Sequence, residues 1–272
     1  MGLTRSGRRS GWSPRLSLIL LIFGPGCAPQ PAIGDHLAVL CPRGFGALLG
    51  PVIDAWGREA GVDVHLAEDS PERIARQVNG GAQADLFISA EPSWVEELQR
   101  DDHLSGDAPL ELFVDPLVIV TRAQPERPVH APRDLISPKP LRTAVPERGW
   151  EGAAVRRAME AAGVWAPLEA HSIRVEDGGA AVELLLASGA EAAVVRRTAA
   201  LSADTAVTAT RWPAQAGAEV RVQAAVLRTA RRPEAATALA AHLAEAPGAR
   251  RALDALGLHH AAPEPPVPHH PP

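Results

Sequence analysis

The run Gly44-Phe45-Gly46-Ala47-Leu48-Leu49-Gly50 is the first stretch whose residue types could do chemistry. Glycines between a strand and a helix let backbone N–H groups approach a phosphate, as in dinucleotide-binding folds. The spacing does not fit that use, because Leu49 stands where the third Gly or Ala is required. The pairs His259-His260 and His269-His270 could hold a transition metal loosely, but no further fixed ligands surround them. Nucleophilic catalysis has no foothold. There is no Gly-x-Ser-x-Gly word, no His-Glu-x-x-His, and no Cys with a nearby His on a loop. No cofactor is expected, and an exported enzyme would lack a candidate nucleophile.

The elements that must position any site alternate along the chain. Leu37 to Cys41 reads as a strand, and Phe45 to Ala60 as a helix with Leu48, Leu49, Val52, Ile53 and Trp56 on one face. Val62 to Leu66 reads as a second strand. Pro71 to Asn79 is a helix with Ser70 at its N-cap and Ile74 and Val78 on its buried face. Ala84 to Ser89, behind the Gly80-Gly81 turn, is a short apolar run of the kind buried on both faces of a parallel sheet. Ser93 to Arg100 follows as a helix capped by Ser93. A βαβαβα order implies parallel strands joined by right-handed crossovers, and sites in such sheets lie beyond the carboxyl ends of the strands. A second unit starts near Phe113. It has strands at Leu117–Thr121, Leu141–Val145 and Ala192–Val195, with helices at Gly152–Ala162 and Val182–Ala187. Val220–Leu227 is a further strand, and Pro233–Ala244 and Pro247–Leu256 are closing helices, with Gly257 as a C-cap.

The termini differ from this body. Arg5, Arg8, Arg9 and Arg15 precede an apolar core, Leu16 to Phe23, of signal-peptide length. Gly24-Pro25-Gly26-Cys27 follows and looks like a lipobox, so export with an acyl anchor on Cys27 is expected. Cys41, the other of the 2 cysteines, reads as a small buried hydrophobe, and no disulfide framework is possible if Cys27 is acylated. The tail from His259 to Pro272 is rich in proline and is expected to be disordered. A net charge of −5 with no basic stripe makes nucleic acid an unsuitable partner.

The words Ala-Arg-Gln at a helix end (Ala75 to Gln77) and Gly-Ala-x-Ala-Asp-Leu-Phe-Ile-Ser-Ala (Gly81 to Ala90) resemble the molybdate-binding periplasmic proteins of ABC importers. Gly163-Val164-Trp165 and Val175-Glu176-Asp177 match in the same order, and the resemblance covers about Leu37 to Leu258. It implies a two-lobe α/β fold of the type II periplasmic binding protein kind, each lobe a mostly parallel sheet flanked by helices. Residues 1–27 are then the leader and 28–36 a linker. Residues 37–114 with 213–258 form one lobe, 115–212 the other, and 259–272 the tail. The implied protein is a monomer that carries a small oxyanion to a membrane permease.

The resemblance also implies where an anion would sit: against backbone N–H groups at helix N-termini and against hydroxyls. Several of the implied positions carry unusual residues. The family's first serine aligns with Gly44, and its second with Pro71, where Ser70 could substitute. Glu151-Gly152 occupies the place of a small pair, and Glu151 beside an anion is unfavourable unless it points outward. The tyrosine position is Arg196 in a chain with 0 tyrosines. The expected ligand-binding set is Arg43, Gly44, Ser70, Gly152, Gly178 and Arg196, the two arginines replacing lost hydroxyls with charge-assisted bonds. Glu68 and Asp69 read as solvated loop charges; unpaired, they would repel an anion and favour a cationic or amine-bearing ligand. Two functions stay open at this level: a receptor for molybdate, tungstate or a related oxyanion, and an envelope interaction module that keeps the fold with altered or lost binding.

Overall fold

A computed structural model describes residues 36–106, 108–201, 203–213 and 218–259. The leader, Cys27 and the tail beyond His259 lie outside the described residues. The first half runs β1 (Leu37–Pro42), α1 (Phe45–Ala60), β2 (Val64–Asp69), α2 (Pro71–Asn79), β3 (Leu86–Ser89), α3 (Pro92–Arg100) and β4 (Leu110–Arg122). It continues with β5 (Thr143–Pro146), α4 (Gly149–Ala161), α5 (Trp165–Leu168), β6 (Ser172–Val175), α6 (Gly178–Leu186), β7 (Ala192–Arg196) and α7 (Arg197–Leu201). Last come β8 (Val207–Arg211), β9 (Glu219–Val226), α8 (Pro233–Glu245) and α9 (Pro247–Ala255).

The strands pair in the order β2-β1-β3-β9-β4-β7-β5-β6, with β8 added to β4. β1 is parallel to β2 and β3, and β5 is parallel to β6 and β7. β4 belongs to both halves. Its stretch Leu110–Pro116 pairs with β9, while Leu117–Arg122 pairs with β7 and β8. Leu117 is opposite Arg196, and β9 reaches only as far as Glu219 opposite Pro116.

Each half buries its own core on both faces of its sheet. In the first, Leu37 and Val39 of β1 pack with Phe45, Leu49 and Ile53 of α1 and with Leu239 and Leu243 of α8. The alternate residue Leu40 faces Ile74, Val78, Val95 and Leu98 of α2 and α3, as the two-residue period of a strand requires. In the second, Leu117 and Ile119 pack with Val155, Met159 and Trp165, while Val118 and Val120 face Val182 and Leu185. No buried cluster among the described residues mixes the two sets. Membership changes between Phe113 and Leu117 and again between Ala218 and Val220. The molecule is a two-lobe α/β fold whose first lobe is completed by the C-terminal elements.

Asp85, in the word that opens β3, has a structural task. Its buried carboxylate accepts hydrogen bonds from Ala38 N, Arg231 N and Arg232 N at 2.7–3.0 Å, tying β1 to the start of α8. Cys41 is a buried free thiol, pushed up to about 12 by burial and then by Glu68. The folded chain extends one residue beyond the expected limit, because His259 exchanges backbone hydrogen bonds with Val114.

Several elements differ from the sequence reading. β2 starts and ends later than expected because its register is fixed by β1, Leu37 opposite Val64 and Pro42 opposite Asp69. Glu68 and Asp69 are therefore the last strand residues, not a free loop. α3 starts at Pro92 with Glu91 at the N-cap, and the Ser93 hydroxyl instead donates to the Glu91 carboxylate. The edge strands β6 and β8 were not foreseen.

Candidate functional site

The parallel strands of each lobe end on one edge. In the first lobe these ends are Pro42, Asp69 and Ser89, from which α1, α2 and α3 start. In the second they are Pro146, Val175 and Arg196, followed by α4, α6 and α7. The two edges face each other. Glu72 in the first turn of α2 places Oε1 3.8 Å from where a Cβ on Gly149 would stand. The carboxyl of Glu91, just past β3, is raised chiefly by burial against the hydrogen bond from Ser93, with smaller contributions from Glu72, which raises it, and from Arg196 of the other lobe, which lowers it. The Ser89 hydroxyl turns back on its own loop, donating to Glu91 O and accepting from Glu91 N.

Arg196 ends β7 on the second lobe's edge. Its side chain is 14% exposed, Nη1 donates to Asp115 Oδ2 and Nε donates to Glu151 Oε1, both at 3.3 Å. Desolvation alone would lower the arginine's affinity for its proton, but Glu151 and Asp115 hold it above the ordinary value. Asp115 is fully buried on the shared strand β4, and also accepts from Thr198 N at 3.1 Å and Thr198 Oγ1 at 2.5 Å. Burial pushes its carboxyl up, against the pull of Arg196 and Thr198. A charge on a buried strand requires such a set of partners. The neighbouring Arg197 turns the other way, donating from Nε to Leu256 O at 2.8 Å beside the C-terminal Gly257.

Two helix N-termini on these edges are held by carboxylates of the chain itself. At the start of α1, Gly46 N donates to Glu68 Oε1 at 2.6 Å. At the start of α6, Gly178 N donates to Glu151 Oε2 at 3.3 Å. The lack of a side chain at both glycines leaves room for these carboxylates. A Cβ on Gly46 would lie 2.9 Å from the Glu68 carboxyl carbon, and one on Gly178 would lie 2.7 Å from Glu151 Oε1. Each carboxylate thus occupies the space that a missing side chain opens, in the field of a helix N-terminus that favours negative charge.

The expected site residues divide accordingly. Arg196 and Gly178 meet at Glu151, which points inward, the direction that is unfavourable beside an anion. Gly152 lies in the same helical turn as Glu151, but its N–H is spent on Arg148 O and a Cβ there would strike the Glu147 carbonyl at 2.5 Å. Gly44 caps α1 in the left-handed conformation, φ 86°. Ser70 caps α2 through its backbone, accepting from Arg73 N and Ile74 N, with no side-chain cap bond. Arg43 stays at the rim, 69% exposed, paired to Asp69 at 3.2 Å. Burial would raise the Asp69 carboxyl, yet the N–H of Ser70 and the guanidinium of Arg43 hold it below the usual range. Sequence reasoning passed over Asp115, Thr198, Glu72 and Glu91. A lone Asp inside Phe113-Val114-Asp115-Pro116-Leu117 was the available signal, since a charge in an apolar run needs a partner. Among the described residues no group of three His, Cys, Asp or Glu could hold a metal ion, and His260, His269 and His270 lie outside them.

Comparison with known proteins places this geometry. Residues 37–258 match the model of a family described as bacterial extracellular solute-binding protein. The chain is 30% identical over 199 residues to the molybdate-binding protein ModA of Mycobacterium tuberculosis (strain H37Rv), covering 73% of this chain and 74% of that protein. Among solved structures it is similar to the periplasmic molybdate-binding protein of Azotobacter vinelandii. The TM-score is 0.69 at 17% identity, over 84% of this chain and 100% of the other. The sulfate-binding protein SubI of Mycobacterium tuberculosis H37Rv gives 0.65 at 15% identity, over 85% and 88%. At these identities the structural likenesses establish the two-lobe fold.

Proposed function

The chain belongs to the family of bacterial extracellular solute-binding proteins, and on that premise we propose that it is the receptor of an ABC importer, carrying a small oxyanion in its inter-lobe cleft to a membrane permease. Molybdate, tungstate or a related oxyanion is the cargo in this reading, in keeping with the molybdate-binding relative. The observation that carries it is that both carboxyl edges, with helix N-termini from each lobe, face each other where Glu72 meets Gly149, with the buried guanidinium of Arg196 on the second edge. Sites of open α/β sheets form at such edges, and helix N-termini supply the N–H groups an anion requires. The lobes of this reading are residues 37–114 with 213–258, and 115–212, and the receptor works as a monomer. The leader and Cys27 direct it outside the cytoplasmic membrane, Cys27 by an acyl anchor. Calorimetry on the purified mature protein with molybdate, tungstate, sulfate and phosphate tests the reading. Saturable 1:1 binding of one of them is the expected result, and absence of binding by all four would sink it.

A further inference from the structure

An anion site with two carboxylates already in it makes an unusual demand on its ligand. Glu68 and Glu151 come from opposite lobes, and each accepts the N–H of a helix N-terminus at a glycine whose missing Cβ makes room for it. Glu151 also takes one N–H of Arg196, whose charge is shared with Asp115. The N–H groups of Gly46 and Gly178 and two of those of Arg196 are therefore already met by carboxylates. A carboxylate has about four lone-pair positions, and Glu151 uses two of them for Arg196 Nε and Gly178 N. The remaining lone pairs can accept, but they cannot donate.

Resting on the oxyanion-receptor reading, we infer that Glu68 and Glu151 are the selectivity residues of the cleft, and that they favour an oxyanion bearing an O–H, such as hydrogen phosphate, over a fully deprotonated one. A protonated oxygen donates to the free lone pairs of the carboxylate, so charge meets a hydrogen bond. Molybdate and sulfate at neutral pH bring only acceptors, and must either displace the carboxylates from Gly46 and Gly178 or face them lone pair to lone pair. An unpaired approach of like charges in a closed cleft is disfavoured for the same reason that two adjacent carboxylates do not both ionise freely. Shape does not decide between these tetrahedral ions; proton content does.

Calorimetry at pH 7 with phosphate and molybdate on the wild type, E151Q and E68Q tests this. The wild type should bind phosphate at least tenfold more tightly than molybdate. E151Q should gain at least tenfold for molybdate and less for phosphate, so that the ratio between the two ions moves toward molybdate. E68Q should move it the same way by a smaller factor, because Glu68 is more exposed. A wild type that prefers molybdate, or a ratio that stays within twofold in both variants, overturns the inference while leaving the receptor reading intact. Wild type and variants that bind neither these ions nor sulfate and tungstate overturn both. Should E151Q lose cooperative melting, E68Q at the exposed end of β2 decides the matter by the same ratio.

Discussion

Asp115 is where the fold and the cleft depend on the same atoms, so its removal has a calculable effect. Asp115→Ala takes away the acceptor of Thr198 N, of Thr198 Oγ1 and of Arg196 Nη1 at once. Removing one partner of a buried ionic set costs about 3–5 kcal/mol. Arg196 keeps Glu151, which places the expected loss near the lower end, about 3 kcal/mol. For a folded body of this size each kcal/mol lowers Tm by about 2–4 °C, giving about 6–12 °C. Asp115→Asn retains the shape and one acceptor oxygen and should lose about half as much. Thermal unfolding followed by circular dichroism or calorimetry provides the assay. The pH dependence has a definite sign. Because burial raises the folded-state value, protonation of Asp115 adds stability below the ordinary carboxylate range, and that increment disappears as pH rises through the raised value. Asp115→Asn lacks it. A Tm within about 3 °C of wild type for Asp115→Ala would refute the reasoning, since it would mean that the three donors find other partners at little cost.

Three further outcomes are expected. Arg196→Ala should weaken oxyanion binding about ten- to a hundredfold, the worth of one charge-assisted bond, as read by calorimetry; unchanged affinity would remove the arginine from the site. Asp85→Ala should cost about 3 kcal/mol or more in urea unfolding, because three backbone N–H groups lose a charged acceptor, and a loss under about 1 kcal/mol would contradict that assignment. Asp69 is held below the usual range, so the stability it contributes is complete above the ordinary carboxylate value and lost as pH falls through the depressed one. A stability gap between wild type and Asp69→Asn at pH 7 should therefore close on acidification, and a gap that widens would show the sign to be wrong.

The parts of the fold marked by local stereochemistry were legible in the sequence. α1 and α2 match their expected bounds because glycine and proline punctuate them: Gly44 and Gly61 around the first, Pro71 and Gly80 around the second. β6 and β8 were invisible because Ser172-Ile173-Arg174-Val175 and Val207 to Arg211 are only partly buried and lack an apolar run. β2 reached further than its apolar residues because pairing with β1 carried Glu68 and Asp69 into the ladder. At the site, sequence order named candidate loops but could not tell that Glu151 would turn inward. That direction depends on a long-range pairing with Arg196 that leaves no local trace. The Glu151 carboxylate is met instead by the guanidinium of Arg196 and the α6 N-terminus.

The interrupted first lobe has a consequence for how the chain comes into being. A polypeptide emerges N-terminus first, whether from a ribosome or from a translocation pore, and contiguous segments complete their folds earliest. Here the contiguous segment is the middle one, since the cores containing Leu117 to Ala218 need nothing from either end. Residues Leu37 to Phe113, though they emerge before the middle segment, share their core with Val222, Leu239 and Leu258 and must wait for those to arrive. During that interval the apolar residues of β1 and α1 lack the cover of α8, and the segment that emerges before the middle one stays longest exposed to misassociation.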